Sequence, residues 1–110
     1  MSHSTPEKQV QNGILRTFAT RPDMRLWRAN TGVARHGRRV ARFGVPGQAD
    51  LTGILPGGVR LEIEVKSANC RQSAAQRDYQ VMIERFGGVY VLAWSVDDVW
   101  NAIRRYLREK

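Results

Sequence analysis

Asp50, Glu64 and Lys66 are the residues of this chain whose types and spacing could do chemistry together. They lie in one stretch, Gly44 to Lys66, which reads GVPGQADLTGILPGGVRLEIEVK. Two strand-like runs, Ala49–Leu55 and Val59–Ser67, flank a turn at Pro56-Gly57-Gly58. The second run alternates, with Val59, Leu61, Ile63 and Val65 on one side and Arg60, Glu62, Glu64 and Lys66 on the other. A three-residue loop sets Leu55 opposite Val59, Gly53 opposite Leu61, Leu51 opposite Ile63 and Asp50 opposite Glu64. One face of the hairpin is then apolar or glycine throughout. The other sets Gln48 against Lys66, Asp50 against Glu64 and Thr52 against Glu62. A slip of one residue would scramble this sorting, so the register is well specified.

Directly opposed residues in such a hairpin hold their Cβ atoms about 4.5–5.5 Å apart, and like charges there repel. Two carboxylates so placed need a cation. Lys66 is one candidate, on the same face and two residues from Glu64. A divalent metal is the other, and oxygen-only ligands suit hard ions such as Mg²⁺ and Mn²⁺. An acid on one strand and acid-x-Lys on its neighbour is a pattern that builds a metal-dependent phosphodiesterase. The bland alternative is a surface hairpin with solvated charges.

The rest of the chain must position this hairpin. Thr5 to about Thr20 reads as a helix, with Val10, Ile14 and Phe18 as its buried stripe and Ser4 and Glu7 at capping-box spacing. Glu7 falls near the centre of that stripe, so its carboxylate needs a partner, either the helix cap or the hairpin site. Met24–Asn30 reads as a strand. Val33–Phe43 carries Arg35, Arg38, Arg39 and Arg42 around Gly37, which reads as a loop or hairpin laid along a phosphate backbone. Ser73 to Phe86 reads as a helix with Ser73 and Gln76 at capping-box spacing and Ala75, Tyr79, Met82 and Phe86 as its apolar face. Gln76 has two roles open to it: the cap, or a polar group turned toward the site. Val89–Trp94 reads as a buried central strand. A last helix, Val96–Arg108, follows with Ser95 as cap and Asp98 at the capping-box position. The order α-β-β-β-α-β-α makes an α/β fold with a mixed four-stranded sheet flanked by helices. The last strand, returning through a helix, should run parallel to its neighbour.

With 110 residues the chain reads as one domain, residues 1–110, large enough for a single core. Its net charge of +8 favours a polyanionic partner, nucleic acid before an anionic membrane. No apolar run approaches the roughly 20 residues that span a bilayer, and Met1–Thr20 lacks a signal-peptide pattern, so a soluble, cytoplasmic protein is expected. A lone cysteine, Cys70, allows no internal disulfide and no cysteine-based zinc site.

Glu7 in the first helix, Asn30-Thr31-Gly32, the run Gly44-Val45-Pro46-Gly47-Gln48-Ala49-Asp50, Glu64-Val65-Lys66 and Gln76 carry a resemblance. In this order they resemble the virus-type replication-repair nuclease (VRR-NUC) family of the PD-(D/E)-x-K nuclease superfamily. The acid here follows Ala49, with the proline at Pro46, whereas the family sets a proline directly before it. The resemblance implies a restriction-endonuclease-like core and an Mg²⁺- or Mn²⁺-dependent endonuclease found in bacterial or phage-infected cells. It implies that Asp50, Glu64 and the Val65 carbonyl hold the metal. Glu7 would reach an outer water or a second ion, and Lys66 and Gln76 would complete the catalytic set. Asn30 would join Arg35, Arg38, Arg39 and Arg42 in holding DNA. Small members of the family resemble dimeric resolvases, which makes a Holliday junction the expected substrate and a homodimer the expected assembly. Trp27, Trp94, Trp100 and Tyr106 are the aromatic groups available to the interface. Flap or restriction-type cleavage, or a basic DNA-binding module without catalysis, are the alternatives.

Overall fold

Alternation and helical periodicity both leave their mark on the chain. In the computed structural model, residues 6–29 and 32–107 are described, with the backbone alone at residues 32–36 and 41–43. The elements are α1 (Glu7–Phe18), β1 (Arg25–Arg28), β2 (Gly32–His36), β3 (Arg39–Phe43), β4 (Leu51–Leu55), β5 (Val59–Val65), α2 (Ala74–Arg85), β6 (Val89–Ala93) and α3 (Val96–Ile103). Single 3₁₀ turns join β4 to β5 and follow α3. The main sheet has four strands in the order β1-β4-β5-β6. β1 and β5 run antiparallel to β4, and β6 runs parallel to β5. β2 and β3 form a separate two-stranded hairpin.

The central register is the one that alternation dictates: Leu51 pairs with Ile63, Thr52 with Glu62, Gly53 with Leu61 and Leu55 with Val59. Gly57 and Gly58, at φ 84° and 78°, supply the left-handed conformations that turn the chain between the strands. One face of the sheet carries Leu26, Leu51, Leu55, Leu61, Ile63, Val65, Val91 and Ala93 into the main core. There they meet Ile14 and Phe18 of α1 and Val99 and Ile103 of α3, all four fully buried. The opposite face carries Tyr90 and, on β5, Glu62 and Glu64, and it packs on Tyr79 and Ile83 of α2. The sheet is thus covered by helices on both faces, and the molecule is a compact α/β globule.

Several boundaries and positions differ from the sequence reading. α1 starts at Glu7, with Pro6 at the N-cap and no side-chain cap bond. Glu7 therefore stands at the first helical residue rather than at the capping-box position, and Ser4 lies outside the described residues. β6 is an edge strand rather than a central one. It is apolar because α2 and α3 lie against its two faces, Tyr90 turned to one and Val91 and Ala93 to the other. The inward face of α2 is Tyr79 and Ile83, while Met82 is 37% and Phe86 80% exposed. The sheet face beneath α2 carries acids, so the helix turns its polar Gln76 and the hydroxyl of Tyr79 toward it rather than a purely apolar stripe. α3 ends at Ile103 and continues as a 3₁₀ turn at Arg104–Tyr106. Trp100 and Tyr106 pack against the core instead of lying free for an interface. The Trp100 ring centroid lies 4.8 Å from that of Phe18.

Candidate functional site

Asp50 sits just before β4, where the ladder to β5 ends. Lys66 N–H donates to the Ala93 carbonyl on β6, so the preceding residue, Val65, turns its N–H toward β4. That N–H donates to Asp50 Oδ2 at 2.8 Å, the side chain taking the place of the next backbone acceptor. The Asp50 carbonyl in turn accepts from Ala29 N–H at 2.9 Å. Asp50 is therefore fixed from two strands at once. The turn before it is fixed by α2. Gly47 has φ 77°, and a Cβ there would lie 2.1 Å from the Ala75 carbonyl oxygen. Only glycine lets the Pro46-Gly47 turn rest on the first turn of that helix.

Glu64, buried at 4% exposure, faces the same side. Its Oε2 accepts from Gln76 Nε2 at 3.0 Å and lies 3.9 Å from Lys66 Nζ. Gln76 fills both of its expected roles. Its Oε1 accepts from Ser73 N–H at 2.8 Å to close the capping box, and its amide nitrogen holds Glu64. Glu64 Oε1 is buried and has no hydrogen-bond partner among the described residues. Burial and the neighbouring Asp50 push the Glu64 carboxyl up to about 8, with Lys66 opposing them. Asp50 is raised too, chiefly by burial, against the lowering effect of the Val65 N–H.

Glu7 comes to the rim of this cluster from α1. Its Oε2 accepts from the Ser67 N–H at 3.2 Å and lies 3.4 Å from the Ser67 hydroxyl. Asp50, Glu64, Lys66 and Gln76 are thus brought together, with Glu7 beside them on Ser67. Among the described residues, no three His, Cys, Asp or Glu side chains gather closely enough to make a metal site by themselves.

Asn30 lies outside the described residues, as do the side chains of Arg35 and Arg42. Arg38 and Arg39 are exposed at the tip of the β2–β3 hairpin. No helix among the described residues is long and apolar enough to cross a membrane.

Glu62, opposite Thr52 on the polar face of the hairpin, has no predicted role in the sequence. It is fully buried. Tyr79 OH donates to its Oε1 at 2.6 Å, Arg60 Nε donates to its Oε2 at 2.9 Å, and Thr52 Oγ1 also bonds to Oε2. The signal was present in the α2 register, since Gln76 and Tyr79 are three apart and share a helix face. Two acids alternating on β5 are thus tied by two residues on one face of α2.

No family model matches the chain, and no curated protein and no solved structure matches it.

Proposed function

We propose that this protein is a small Mg²⁺- or Mn²⁺-dependent DNA endonuclease, with a restriction-endonuclease-like core and a VRR-NUC-type site, that cuts branched DNA. The observation that carries this reading is buried Glu64 set beside half-buried Asp50, with Glu64 Oε1 lacking a hydrogen-bond partner among the described residues. Two desolvated carboxylates side by side are unfavourable unless a cation joins them or one keeps a proton. Lys66 contacts only Oε2. Hard oxygen donors fit Mg²⁺ or Mn²⁺, which bind through one or two carboxylates and keep waters.

Asp50, Glu64 and the Val65 carbonyl would hold the ion; that carbonyl leaves β5 on the same edge as the N–H bound to Asp50. Glu7 would hold an outer water or a second ion. When bound, the ion supplies a water of lowered pKa and neutralises phosphate charge. Lys66 would orient the attacking water or balance charge growing on the scissile phosphate. Gln76 keeps Glu64 Oε2 occupied, so that Oε1 is the oxygen left to serve. Arg38 and Arg39, with Arg35 and Arg42 of the same hairpin, would grip the DNA backbone.

A four-way junction must be cut on two symmetric strands, and one chain has one such site. A homodimer would supply the second. The test is cleavage of labelled four-way junction, flap and linear duplex with Mg²⁺ or Mn²⁺, with light scattering on the same samples. The expected result is paired nicks in opposed strands of the junction, and loss of cleavage in Asp50→Asn and Glu64→Gln with the fold intact. Retained cleavage in both variants would sink the mechanism. A monomer preferring flaps would remove the resolvase role and keep the nuclease.

A further inference from the structure

Trp27 stands on the same sheet face as the carboxylates. Paired residues share a face, so Trp27, Thr52, Glu62 and Tyr90 make one row across β1, β4, β5 and β6. The neighbouring row holds Ala29, Asp50, Glu64 and Leu92, with Ala29 N–H bonded to the Asp50 carbonyl and Glu64 paired with Leu92. Trp27 is therefore a diagonal neighbour of Asp50, at a spacing of about 7–8 Å. Ala29, opposite Asp50 at the end of β1, offers only a methyl group.

This part of the face is open. Trp27 is 48% and Ile54 47% exposed, although Tyr90 in the same row as Trp27 is buried beneath α2. Two arginines stand on this open part of the face. Arg25 shares it on β1, and Arg60, opposite Ile54 on β5, is bonded to Glu62 yet keeps its side chain 56% exposed. An aromatic ring within a positive surface is how proteins hold the bases of a single strand: the cations follow the backbone and the ring takes a base face.

We infer that Trp27 is a stacking platform for one unpaired nucleobase of the strand whose phosphate lies at Asp50 and Glu64. This rests on the nuclease reading and narrows its substrate. Inside a continuous duplex each base has both faces covered by its neighbours. A free face exists at a branch point, flap, gap or single strand. Trp27 would therefore select a strand with an unstacked base beside the bond to be cut, and disfavour linear duplex.

The test uses the full chain with a dye-labelled octathymidylate and a blunt duplex, read by anisotropy without divalent ions. Trp27→Leu keeps apolar bulk and loses the ring; Trp27→Phe keeps a ring. The expected result is a roughly ten- to hundred-fold weaker grip of Trp27→Leu on octathymidylate, with duplex affinity unchanged and Trp27→Phe retaining most of the binding. Unchanged single-strand affinity in Trp27→Leu overturns the inference, as does an equal loss on both ligands. A wild-type dimer that Trp27→Leu dissolves into monomers would assign the face to a second copy and also overturn it. Cleavage with Mn²⁺ separates the two ideas. If Asp50→Asn abolishes cutting while Trp27→Leu keeps the wild-type preference for flaps and junctions, the stacking role falls alone. If nothing is cut but the selective binding loss stands, the nuclease reading falls and the stacking site survives.

Discussion

At the scale of single residues, the Asp50–Glu64 pair makes stability depend on pH in a set direction. The folded chain holds the Glu64 proton up to about pH 8, whereas the ordinary value is 4.5. Between those values the native state binds more protons than the unfolded chain, so stability falls as pH rises. Urea unfolding without divalent ions should show this decline across pH 4.5 to about 8, and Glu64→Gln should flatten it. Millimolar Mg²⁺ should offset it by binding the native state. A wild-type profile that rises through this window would contradict the proposed pair. The placement of Asp50, Glu64 and Lys66 was legible because strand alternation has a period of two, and any other register would have exposed Leu51, Leu61 and Ile63. Glu62 obeys the same alternation, yet its surroundings were not legible. Alternation assigns a side and says nothing of what covers that side. The crossover from β5 to β6 was the available clue, since it lays a helix on one face of the sheet.

At the scale of elements, α2 is what holds the acidic face in place. Tyr79→Phe removes the hydroxyl that donates to buried Glu62, leaving one oxygen of a fully buried carboxylate short of a donor. The expected loss is about 1–3 kcal/mol, read from urea midpoints. A neutral outcome would show that water replaces the hydroxyl. Gly47→Ala acts at the other contact of α2. It needs a left-handed backbone for alanine and drives a methyl into the Ala75 carbonyl. About 2–4 kcal/mol of destabilisation is expected, together with loss of the proposed cleavage, because the turn must leave the helix. Wild-type stability in this variant would mean that the turn does not rest there. The helices were legible from their caps: Ser73 with Gln76 and Ser95 with Asp98 both form complete capping boxes. The face of α2 was misread because Met82 and Phe86 weigh heavily in any apolar stripe. The acids on β5 reward Gln76 and Tyr79 instead. β6 was read as central from its apolar run, but two covering helices make an edge strand just as apolar.

At the scale of the molecule, charge bears on the proposed nucleic-acid partner. The chain carries a net +8, and Arg38 and Arg39 are exposed on the β2–β3 hairpin. If Arg38 and Arg39 meet phosphates, replacing both by alanine should reduce the salt dependence of DNA binding by about two units of logarithmic slope. An unchanged slope would return the hairpin to a solvated surface. The distribution of the aromatic side chains was not legible in the sequence, because periodicity does not tell core from interface. Trp100 belongs to the core with Phe18, whereas Trp27 and Trp94 remain about half exposed.

The separate hairpin can be exchanged without touching the main sheet. β1 and β4 are antiparallel neighbours, paired from Arg25 with Ile54 to Arg28 with Leu51, so the chain leaves and re-enters the sheet at one spot. The bridge between them is a detour from the main sheet, to which residues 32–43 contribute no strand. The closure entropy of such a bridge changes by only about 0.6 kcal/mol for each doubling of its length. A variant with residues 32–43 cut to a short turn should therefore melt near the parent temperature, with its carboxylate row intact. On the nuclease proposal, the part that grips and the part that cuts are then separate segments of one small chain. Exchanging residues 32–43 would change the target while leaving Asp50, Glu64 and Lys66 in place.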